Sequence, residues 1–182
     1  MSRPKPYTIE RLLKAYNSFF SRYGFTENNI REQYEAWKIK TGRENPKDYF
    51  WSLFQQMVLQ VPQHVELESC NYHVALRDIY REMLDFVVRV EKKNGNHISK
   101  VFHYHDLKSS QAGASIELKV QVISKGCCPY CDTLHHKEFT FEEVFANPPL
   151  ASDKCTREYG CYCTYAVVPV RDGNGNVIRK AR

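Results

Sequence analysis

Six of the seven cysteines in this 182-residue chain fall within residues 127–163, and the first 69 residues contain none. No other feature narrows the possible folds as much, because thiols crowded into one short segment are either crosslinked or gathered around a metal. Secreted disulfide scaffolds spread an even set of cysteines through a shorter chain, whereas an odd, local set points to metal. Cys70, in the run ESCNYHVAL, stands outside the cluster and is expected to be a small buried thiol.

The cluster has two halves. The first is GCCPYCDTLHHKEF, residues 126–139. Cys128-Pro-Tyr-Cys131 serves two chemistries: it is the active-site tetrapeptide of glutaredoxins, and Cys-x-x-Cys is also the commonest half of a zinc site. A redox cysteine needs its pKa lowered, usually by the N-terminus of a helix that starts at that residue within a strand-helix-strand unit. The sequence DTLHHKEFT carries no helical period, so that helix is not expected. The metal reading asks only for a tight turn at a hairpin tip, which Gly126 and Pro129 allow, with both sulfurs about 2.3 Å from one centre.

The second half is CTREYGCYC, with Cys155, Cys161 and Cys163, where Gly160 gives the backbone freedom for a sharp return. Tetrahedral Zn2+ would take Cys128, Cys131, Cys155 and either Cys161 or Cys163. Cys127 is then the bystander, and His135 and His136 are exposed hairpin residues. Four thiolates leave no open coordination position, so the site would be structural.

Ahead of the cluster the apolar spacing is helical. Ile9, Leu12, Leu13, Tyr16, Phe19, Phe20 and Tyr23 recur on one face, and Gly24 closes that helix. Thr26 caps a second helix to about residue 40, and Asn45-Pro46 opens a third that Pro62 is expected to stop. A fourth runs from about residue 69 to 93 and ends at Asn94-Gly95-Asn96. Beyond that turn the period becomes two: HISKVFHYH and SIELKVQVIS both read as strands. Thr140 and Glu143 form a capping box for a short helix, and TYAVVPV with NVIRK around Asp172-Gly173-Asn174-Gly175 suggests a closing hairpin. The expected class is α+β: a helical region over 1–96 and a β-rich region over 97–182 that carries the zinc module at 126–165, the two packed as one compact unit.

The succession C-x-x-C, L-x-x-K-x-F, P-P-L and C-T-x-x-x-G-C-x-C resembles the cysteine-bearing end of phage head-morphogenesis proteins of the Mu and SPP1 type. Leu134, Lys137, Phe139, Pro148, Pro149, Cys161 and Cys163 carry the match, which covers residues 126–165 only. His136 stands where that family has Gly, and Tyr162 where it has Arg. The resemblance implies a cysteine module of that build and opens a virion location as an alternative to the cytoplasm.

A net charge of +5 permits a nucleic-acid or acidic partner, although Lys and Arg are spread along the chain. Lys154, Arg157, Arg171, Arg179, Lys180 and Arg182 flank Tyr159, Tyr162 and Tyr165, which could stack on bases or dock on a protein. No run of about 18 apolar residues exists to cross a membrane and no secretory signal is recognisable, so a cytoplasmic protein is expected. The leading function is a non-catalytic, zinc-stabilised binding or structural protein. The alternative is a metal-dependent hydrolase or nuclease built on His103, His105 and Asp106, which would share a strand end.

Overall fold

The computed structural model describes residues 7–126 and 128–180; Cys127, the expected bystander, and Arg182 lie outside the described residues. The chain divides into two compact units, Met1–Gln60 and Val61–Arg182.

The first unit is helical. Helix α1 (Ile9–Ser21) starts at Thr8, whose hydroxyl accepts the Arg11 N–H, and α2 (Glu27–Thr41) starts in the same way at Thr26 and stops at left-handed Gly42. Helix α3 (Pro46–His64) is opened by Asn45, whose side chain accepts the Lys47 N–H. The expected aromatic faces do meet. Phe20 packs on Phe50 and Phe54 with ring centroids 5.3 Å from each, and the Tyr49 hydroxyl donates to the Ile30 carbonyl at 3.1 Å. Pro62 does not stop α3 but lies inside it. Pro62 forfeits its own N–H bond and crowds the Val58 carbonyl, yet the last turn continues past it, with the Val65 N–H donating to the Val61 carbonyl at 3.0 Å.

In the second unit, α4 (Cys70–Asp85) begins at Ser69 and runs into a wider π-helical turn over Phe86–Glu91, closed by left-handed Lys92. HISKVFHYH is not a strand: residues Asn96–Ala112 form helix α5. The alternation is real but comes from burial on two sides. His105 meets α4 at His73, while His103 and Leu107 face the sheet and its core. A helix buried between two layers loses the single apolar stripe that identifies it in sequence.

The sheet is antiparallel, in the order β2-β1-β3, with β1 (Leu118–Ile123) central, β2 (Glu138–Phe139) short and β3 (Thr164–Pro169) long. Val120 and Val122 are fully buried on its inner face, as the alternation required. Helix α7 (Phe141–Ala146) carries the capping box in full: Glu143 N–H to Thr140 Oγ1 at 3.2 Å, and Thr140 N–H to Glu143 Oε2 at 2.7 Å. The architecture is therefore α+β, with a small antiparallel sheet.

Candidate metal centre

The sheet itself brings the half-sites together. Ile123↔Thr164 is the last pair of the β1–β3 ladder, so the residues just beyond it, Ser124 and Cys163, become neighbours, with Ser124 Oγ 3.6 Å from Cys163 Sγ. The β1–β2 connection holds Cys128 and Cys131, and the approach to β3 holds Cys155, Cys161 and Cys163. All five thiols are buried.

Their sulfurs form two overlapping groups, within each of which every pair lies within 4.8 Å. One is Cys128, Cys131 and Cys155; the other is Cys131, Cys161 and Cys163. Cys131 belongs to both. Its sulfur stands 3.6 Å from that of Cys161. Zinc–thiolate bonds of about 2.3 Å imply tetrahedral edges of about 3.8 Å, so this pair already has the spacing of two ligands on one ion. These cysteines could hold a metal ion.

The knuckle departs from the sequence expectation in one respect. Cys128 is followed by a single helical turn, α6 (Pro129–Asp132), with Cys128 as its N-cap. Pro129 at the first helical position opens a turn too short to leave a periodic signal. Burial pushes the Cys128 thiol up, but the N–H groups of Cys131 and Thr156, with the Thr156 hydroxyl, outweigh it and bring the pKa down to about 6. Burial raises Cys131, and the crowding of Cys161 and Cys163 raises it further. Cys161 is pushed up to about 11, chiefly by burial, with the Ala151 and Cys163 N–H groups opposing. Sulfurs this close resist ionising together unless a cation lies among them, and a metal ion removes that penalty.

Several supporting residues were not legible in the sequence. Asn96, at the start of α5, accepts the Cys161 N–H at 2.8 Å and donates to the Ser152 carbonyl at 3.4 Å. Gly95 N–H donates to the Tyr159 carbonyl at 3.2 Å, and Asn94 reaches the Glu158 carbonyl at 3.4 Å. The Asn-Gly-Asn turn thus grips the loop that carries the second half-site. On the other side, the Ser124 N–H donates to His135 Nδ1 at 3.1 Å, the Ser124 hydroxyl donates to Asp132, and the Gly126 N–H donates to Ser124 Oγ at 3.2 Å. His135 and His136 are exposed, as expected, and His135 braces the knuckle.

The alternative constellation does not assemble. His103, His105 and Asp106 lie on α5 and diverge: His103 packs edge-on against Tyr165, with its Nδ1 lacking a hydrogen-bond partner among the described residues. His105 Nδ1 is 3.0 Å from His73 Nδ1, and Asp106 lies 3.7 Å from Arg77. Two residues apart on a helix, the imidazoles point to different sides. The tyrosine surface is also smaller than expected, because Tyr165 is buried and its hydroxyl accepts the Leu150 N–H at 3.1 Å. Tyr162 is 45% exposed, and the Arg157 guanidinium lies over its ring at 3.5 Å. Cys70 is exposed rather than buried, its thiol turned toward the Ser109 carbonyl.

No helix among the described residues is long and apolar enough to cross a membrane. The chain matches no protein-family model, no curated protein and no solved structure, which leaves the cysteine geometry to carry the functional reading.

Proposed function

We propose that this protein is a non-catalytic binding or structural protein whose second unit is held together by one Zn2+ on Cys128, Cys131, Cys155 and Cys161. The observation that supports it best is the shared position of Cys131, within 4.8 Å of two sulfurs on either side and 3.6 Å from Cys161. Cys161 is preferred to Cys163 as fourth ligand because that 3.6 Å spacing is close to a tetrahedral edge. An all-thiolate set has no vacant position for water or substrate, so the ion would supply a crosslink and positive charge, not a reaction. The chain's own groups orient the ligands: Thr156 and α6 hold Cys128, and Asn96 fixes the backbone at Cys161.

The partner is a protein or a nucleic acid, met beside the second half-site at exposed Tyr162 and the half-buried Arg157 stacked on its ring. A role in phage head assembly belongs to the same proposal, and portal or capsid genes next to this one would support it.

Metal analysis of the reduced protein tests the reading. One zinc per chain is expected, falling to near zero in each of Cys128→Ser, Cys131→Ser and Cys155→Ser. Full zinc content in any two of these variants would overturn it.

A further inference from the structure

We infer that the cluster has a second metal position, and that it can hold two monovalent soft cations of the Cu(I) type in place of one Zn2+, with Cys131 bridging them. The inference rests on the metal-centre reading above and extends it to all five buried sulfurs.

Zinc satisfies its tetrahedron with four thiolates and leaves one sulfur of the cluster out. The five sulfurs do not form one group in which every pair is close. They form two triangles, Cys128–Cys131–Cys155 and Cys131–Cys161–Cys163, joined at a corner. An ion bonded to three sulfurs at about 2.3 Å sits in a triangle with edges of about 4 Å, inside the 4.8 Å limit that each group meets. Soft thiolate ligands select Cu(I), whose closed d shell imposes no four-coordinate geometry. Each triangle is therefore a complete site for one such ion. A thiolate has lone pairs enough to bind two ions, and Cys131 is placed to do so.

The surroundings fit. All five cysteines are buried, at most 7% exposed, which keeps water and oxidants away from a cuprous ion. Neither triangle includes a carboxylate or imidazole of the described residues, the harder ligands that would favour a divalent ion. The exchange balances without electron transfer. Two Cu(I) enter, one Zn2+ leaves, copper stays Cu(I), and the thiol that zinc did not use releases one proton as it becomes a ligand.

The test uses the full chain with Cys70 and Cys127 changed to Ser, so that only the five sulfurs count. The zinc-loaded protein is titrated anaerobically with Cu(I) in the presence of bathocuproine disulfonate, which strips weakly held copper, and bound metals are counted by native mass spectrometry. The expected result is two Cu(I) retained and one Zn2+ released per chain. Cys163→Ser should retain one Cu(I) on the first triangle, Cys155→Ser one on the second, and Cys131→Ser none. Saturation at one Cu(I), retention of three or more, or an undiminished count in Cys131→Ser or Cys163→Ser would overturn the inference. A parent chain that binds one zinc but only one Cu(I) removes this inference alone, whereas a chain that binds neither metal removes the zinc reading as well.

Discussion

The side-chain oxygen of Asn96 accepts the backbone N–H of Cys161 at 2.8 Å, tying the first turn of α5 to the loop that delivers the second group of sulfurs. A residue far from the cysteines in sequence thus sets where one of them sits. Asn96→Ala should cost about 1–3 kcal/mol, because the partly buried Cys161 N–H would lose its acceptor. Asn96→Asp keeps an acceptor oxygen and should lose less. Urea unfolding of the two variants at neutral pH checks the order, and equal losses would mean that the bond to Cys161 does not matter.

Gly160 has φ +102°, and a Cβ there would come within 3.0 Å of Asn96 Oδ1. Gly160→Ala should therefore combine backbone strain with displacement of the Asn96 contact, for a loss of about 1–3 kcal/mol. Gly42, with φ +67° and open space around it, is the control. Its alanine variant should lose about 1–2 kcal/mol from conformation alone and leave metal content unchanged. Weaker metal retention in Gly160→Ala, with none in Gly42→Ala, is the expected signature.

Removing the metal should lower the melting temperature, since structural zinc contributes its binding free energy directly to folding. A high-affinity chelator under reducing conditions should shift the transition by an amount that added zinc restores. Cys128→Ser and Cys155→Ser should already melt at the lower temperature, with little further response to chelator. A chelator-independent transition in the unmodified protein would contradict this.

Burial, with the neighbouring His73, holds His105 down to about 4, while Glu68 pulls weakly the other way. Its ordinary value near 6.5 applies in the unfolded chain, so the unfolded state takes up a proton first. The neutral imidazole's contribution is complete above about pH 6.5 and is lost as pH falls toward 4, amounting to about 2–3 kcal/mol. Metal loss in acid also lowers stability, so the comparison must be internal. His105→Phe, which keeps a ring against Tyr80 but cannot titrate there, should show a shallower fall between pH 6.5 and 4 in denaturant midpoints. Parallel curves for the two proteins would refute the assignment.

Much of the fold was legible where one physical signal acted alone. The caps Thr26 and Asn45 and the capping box of Thr140 and Glu143 act through the nearest backbone amides, so sequence suffices to place them. The alternation of Val120 and Val122 reflects one buried face. Helix α5 was misread because α4 and the sheet bury it from both sides, which turns a helical stripe into an alternation. The single turn after Cys128 was too short to have a period, and α3 continues through Pro62 for its last residues although proline ordinarily stops a helix. Burial of Cys70 was inferred from residue type, but exposure depends on what packs over a helix start. At the metal centre the two half-sites could be read from spacing, because their chemistry depends on residues close together in the chain. Asn96 and Ser124 could not, since their importance arises only once β1 and β3 are in register.

That register has a consequence for the order of events during folding. The pairing of Ile123 with Thr164 closes a loop holding every thiol of the described cluster, and loop closure must be met from chain entropy before the contacts it creates can reward it. Cys128 and Cys131, being local, can meet an ion early, while Cys161 and Cys163 arrive only with the long-range strand pairing. A metal ion held on these sulfurs would therefore act as a latch that sets late, slowing escape from the folded state more than it hastens entry into it.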